Sequence, residues 1–91
     1  MRNIIISNSA EHANILIGIA QAGLFVLSIR NRRGKRIFNS TIVKGEDPAM
    51  LQVPTSHIRP DIYSLIIRSA QAVDISKIFL GKSSGNQKSI G

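Results

Sequence analysis

Apolar residues recur at every second position through most of this chain. Phe25, Leu27 and Ile29 alternate with Val26, Ser28 and Arg30. That is the period of an extended strand, whose successive side chains leave opposite faces. Ile15, Ile17 and Ile19 repeat the pattern. So do Tyr63, Leu65 and Ile67, with Ser64 and Arg68 on the other face. The alternation predicts strands over residues 2–7, 13–19, 24–30, 35–43, 50–53, 61–69 and 73–80. In the first, Ile4 and Ile6 face one way and Ile5 the other. In the last, Val73, Ile75, Lys77 and Phe79 share one face and Ile78 and Leu80 the other. A helix capped by Ser9 competes with the second strand, since Ala10, Ala13, Ala20 and Ala22 favour helix. Gly18 and the isoleucine alternation argue for the strand.

The breaks between these runs are turn-formers. Asn8 to Glu11, Ala20 to Gly23 and Ala70 to Ala72 are short gaps. Asn31 and Gly34 bracket a polar gap that closes a hairpin. Lys44 to Pro48 is a loop, and residues 54–60 are a connection bounded by two prolines, neither of which can donate to a ladder. About seven short strands with regularly spaced turns imply an all-β chain, an antiparallel sandwich of Ig-like topology. A chain of 91 residues makes one domain, assigned to residues 1–82, with a core one layer thick. Residues 83–91 are a polar, low-complexity tail expected to be disordered.

Composition adds three constraints. Trp and Cys are absent, so no disulfide or thiolate metal site can form. Residues 13–29 carry no formal charge, but the run is short for a membrane helix and Asn14, Gln21, Ser28 and two glycines interrupt it. No transmembrane span is expected. Ile4 to Ile6 is too short for a signal-peptide core; an exported domain would take its signal from a longer parent chain.

Catalytic chemistry finds no constellation. His12 and His57 stand alone, in a predicted turn and a predicted loop. The acids are scattered, and the one adjacent pair, Glu46 and Asp47, is too few oxygens for calcium. Gly81 and Gly85 lie in the tail rather than in a phosphate-binding loop. The chain is therefore read as a non-enzyme with no cofactor, metal or catalytic residue. Its charge of +7 favours polyanions, and the positive charge is densest at Arg30, Arg32, Arg33, Lys35 and Arg36. Those side chains could contact phosphates. Nucleic-acid binders of this size add exposed aromatics for base stacking, whereas Phe25, Phe38, Phe79 and Tyr63 read as core. A solvated turn that protects a sheet edge from aggregation is the simpler account.

Four segments recur in an order that resembles a known family. They are Leu24 to Phe38 with its Asn31-x-x-Gly34-Lys35 turn, the Gly45 loop leading to Met50-Leu51-Gln52-Val53, Ile58-Arg59-Pro60-Asp61-Ile62-Tyr63-Ser64-Leu65-Ile66-Ile67, and Ser76-Lys77-Ile78-Phe79-Leu80. Together they are similar to the C-terminal sorting domain of the type IX secretion system of Bacteroidetes. The likeness covers roughly residues 4–82. The chain departs from the pattern at Asp61, where the family has glycine. It also lacks the family's proline–asparagine–proline entry and runs on past the last strand.

The resemblance implies a recognition module. Such a domain directs a cargo protein across the outer membrane, from periplasm to cell surface, through a dedicated translocon. In many members a sortase-like peptidase then removes it, and the cargo is attached to anionic lipopolysaccharide. On that reading Asn31 and Gly34 form the hairpin turn and Ile58 anchors the connection. Ile62, Tyr63, Leu65 and Ile67 belong to the turn and core motif, the last three pointing inward. Lys77 opens the final strand. Lys77, Ile78, Phe79, Leu80 and Lys82 are the first candidates for partner recognition, and Arg32, Arg33 and Lys35 the second. Two other readings stand beside it: a small basic β-domain that binds nucleic acid, and an Ig-like accessory domain of a larger surface protein.

Overall fold

The computed structural model describes residues 4–9 and 11–81. The predicted tail and Lys82 lie outside the described residues. The strands are β1 (Ile4–Asn8), β2 (His12–Ile17), β3 (Gly23–Arg30), β4 (Arg36–Lys44), β5 (Ala49–Pro54), β6 (Asp61–Arg68) and β7 (Val73–Leu80). They form two antiparallel sheets, one ordered β1-β2-β5 and the other β4-β3-β6-β7. The all-β, Ig-like sandwich read from the alternation is the fold. Its fourth strand pairs with β3 rather than with β5, which gives a three-plus-four division. No helix of the described residues is long and apolar enough to cross a membrane.

The core is the inward half of each alternation. Ala13, Ile15 and Ile17 of β2 meet Phe25, Leu27 and Ile29 of β3, with Val53 beside the former and Tyr63, Leu65, Ile67, Ile78 and Leu80 beside the latter. Ile4, Ile6, Phe38, Ile42, Leu51 and Ile58 close its margins. β-branched side chains pack well on pleated surfaces, and each fully buried one contributes about 1.5–3 kcal/mol.

Several expectations need correction. Phe79 is 43% exposed, not core, because the buried set of β7 is Ile78 and Leu80. Lys77 is the fifth residue of β7, opposite Ser64, rather than its first. His12 begins β2 instead of sitting in a turn. Ile62 points outward. Gly81 is a fold element rather than the start of a tail. Its φ is +124°, and a Cβ added there would lie 2.5 Å from the Cα of Pro60. The end of β7 thus passes so close to the β5–β6 connection that only glycine fits.

Candidate functional site

Among the described residues β7 is an outer strand of the four-stranded sheet and pairs only with β6. In an antiparallel strand, alternate residues turn both backbone polar groups to the same side. The Phe79 carbonyl accepts a hydrogen bond from Asn8 Nδ2 at 3.1 Å, and the Gly81 amide donates to Asn8 Oδ1 at 3.3 Å. Asn8 belongs to the other sheet, so residues 79 and 81 turn their polar groups away from β6. By the same parity Val73, Ile75 and Lys77 present theirs at the free edge. Asn8 closes the end of that edge and ties the two sheets together there.

The odd residues of β7 also carry the outward side chains. Ile62 faces Phe79, Ser64 faces Lys77, Ile66 faces Ile75 and Arg68 faces Val73. Ile75 is 58% exposed. A broad open groove of about 600 Å3 runs along this face, lined by Arg30, Ile62, Ser64, Ile66, Ile75 and Lys77. It continues to Asn31, Arg32 and Gly34 of the β3–β4 turn. The two regions singled out in the sequence, the closing strand and the basic hairpin, therefore adjoin on one surface. Of the residues named for recognition, Lys77 and Arg32 line this groove, and Phe79 is exposed on the same face of β7. Ile78 and Leu80 are buried and hold the strand down. Val73 and Ile75, which the alternation places on the face of Lys77 and Phe79, are exposed there too.

The hairpin turn is built by its own side chains. Asn31 Oδ1 accepts from the Arg33 and Lys35 amides at 2.9 and 3.0 Å, and the Gly34 amide donates to the Asn31 carbonyl. Gly34 has φ +84°, a conformation that glycine adopts without strain. Arg30 Nη1 donates to the Gly34 carbonyl at 2.8 Å. β4 is bulged beside this turn: Ile29 pairs with Phe38 and Arg30 with Arg36, leaving Ile37 as the extra residue.

The β5–β6 connection faces the turn. Tyr63 donates its hydroxyl to the Arg59 carbonyl at 2.6 Å, which fixes the corner where the connection enters β6. Burial raises the Tyr63 pKa, the Asp61 carboxylate adds to the rise, and the Arg59 cation opposes it. Asp61 Oδ1 accepts from the Ile62 amide at 2.7 Å and meets Arg32 Nε at 3.1 Å. Arg32, Arg33, Arg59, Asp61 and Tyr63 line an open cleft of about 490 Å3. Arg59 carried no signal in the sequence, because its turn is brought to the hairpin only by the fold.

The other end of the sandwich is different. There Lys44 is buried, with Nζ donating to the Gly45 carbonyl at 2.7 Å and the Asp47 carbonyl at 3.2 Å. It also stands 5.8 Å from the centre of the Phe25 ring, within cation–π range. This lysine is structural. Comparison with protein-family models, curated proteins and solved structures returns no match to the chain.

Proposed function

We propose that this chain is a recognition module without catalytic activity, read by a protein partner that adds a strand to β7. The observation that carries the reading is the free edge of β7, with Ile75, Lys77 and Phe79 outward beside it. Strand addition draws affinity from backbone hydrogen bonds and specificity from alternate side chains. The segments similar to type IX sorting domains support a more specific role. The module directs a longer parent protein across an outer membrane to the cell surface, and its partners are the translocon and the peptidase that removes it. The Asn31–Gly34 turn, the Tyr63 corner and the inward Leu65 and Ile67 fit that resemblance.

Fusing residues 1–91 to a periplasmic reporter in cells with a type IX system tests the role. The reporter reaches the cell surface if the reading holds. A reporter that stays in the periplasm, although the fused domain is folded, refutes it. An edge variant, Ile75→Lys, separates recognition from folding because the side chain is already in solvent.

A further inference from the structure

We propose that the cleft between the β3–β4 turn and the β5–β6 connection binds a phosphate monoester through Arg32, Arg33 and Arg59. This stands apart from the sorting reading, which concerns the β7 edge. Three guanidinium groups and one carboxylate line the cleft, leaving a net charge of +2. A phosphate monoester carries about −1.5 to −2 at neutral pH and offers three acceptor oxygens. A single carboxylate or a phosphodiester supplies half that charge.

The cations are held from behind. Asp61 engages Arg32 through Nε, which leaves the two terminal nitrogens of that guanidinium to face a ligand as a fork. The Asn31 side chain fixes the backbone that carries Arg32 and Arg33. The Tyr63 hydroxyl fixes the backbone that carries Arg59. Among the described residues neither Arg33 nor Arg59 has an acidic partner. Two turns held by side-chain hydrogen bonds thus bring three cations to one cleft. A phosphodiester backbone asks instead for a stripe of charge with stacking aromatics, and the one aromatic lining the cleft, Tyr63, is buried.

The test is a titration of the full chain at constant ionic strength, followed by backbone amide NMR. Glucose 6-phosphate and inorganic phosphate are expected to give saturable shifts confined to residues 31–35 and 59–63. The double variant Arg33→Gln/Arg59→Gln is expected to lose about tenfold or more in affinity. Arg68→Gln, on β6 near the far end, is expected to change nothing. Vesicles of phosphatidylcholine with phosphatidic acid, against vesicles with phosphatidylglycerol, ask whether a lipid headgroup can supply the monoester. Preference for phosphatidic acid upholds the site and identifies that source, and binding of the soluble esters alone assigns a free one. The proposal is overturned if none of the monoesters binds, or if acetate or an oligothymidylate without terminal phosphate binds equally well. Unchanged affinity in the double variant, with its amide spectrum intact, overturns it too.

Discussion

β4 and β7 are the two free edges of one sheet, yet they meet solvent differently. β4 carries a bulge at Ile37, and its outward positions run Arg36, Asn39, Thr41 and Val43. A bulge and charged or polar outward residues are the usual protections of an edge against pairing. β7 has eight residues in continuous register with β6, no bulge and no proline. Outward it shows Val73, Ile75, Lys77 and Phe79, with Lys77 the one cation among them. Its protection is partial: Asp74 and Ser76 take half-buried inward positions, and Asn8 closes the end at Phe79. On the proposed reading, the less guarded edge, β7, is the one a partner approaches.

The largest effect should come from breaking β7 itself. Leu80→Ala removes a fully buried side chain and is expected to cost about 2–5 kcal/mol. Phe79→Ala, one residue away and outward, should stay within about 1 kcal/mol in urea denaturation. Equal losses would show that the strand does not divide its faces as described. Gly81→Ala comes next, at about 1–3 kcal/mol. It meets both a left-handed φ and the Pro60 backbone, so the clash cannot be relieved by turning a side chain. A variant as stable as the parent would dismiss the close approach of β7 to the connection.

The comparison of edges is sharpened by paired substitutions. Ile75→Lys on β7 and Thr41→Lys on β4 both place a charge at an exposed outward position, and each should change stability by no more than about 0.5 kcal/mol. Only the first should reduce surface display of the fused reporter. A similar loss from the β4 variant would remove the distinction between the two edges.

How far this was legible in the sequence depends on whether the signal was local. Period-two alternation in residues 25–29 and 63–67 located the strands and most of the core, because one face of each is buried and a slip by one residue would expose it. The same pattern sorted β7 into two faces but not which one is inside, since Phe79 is as apolar as Leu80. Length and aromaticity pointed the wrong way there. The β3–β4 turn was legible because Asn31 and Gly34 act within their own hairpin. Arg59, Asn8 and Gly81 were not. Asn8 and Gly81 meet residues far along the chain, Phe79 and Pro60, Arg59 joins the hairpin arginines only at the cleft, and no local pattern encodes a contact made by sheet packing.

A more modest loss than that of Leu80 or Gly81 concerns how β7 is supported. β7 rests on β6, where Tyr63 pairs with Ile78, and β6 is entered through the corner that the Tyr63 hydroxyl fixes. β4 has no contact with that strand in the ladder. Tyr63→Phe keeps the buried ring and loses the bond to the Arg59 carbonyl, a cost of about 0.5–1.5 kcal/mol. Amide exchange should quicken toward the end of β7 and stay unchanged in β4; equal quickening of both edges would contradict this support. The pH dependence follows from the same hydroxyl. Burial, then Asp61, raise its pKa above the ordinary value of 10. The folded state therefore holds the proton more tightly than the unfolded chain. Its contribution is fully present below pH 10 and is lost as pH rises through the folded-state pKa. Parent and Tyr63→Phe should then differ in the slope of stability against pH above 10, the parent falling more steeply. Parallel slopes would mean that Tyr63 ionises as freely in the folded chain as in the unfolded one.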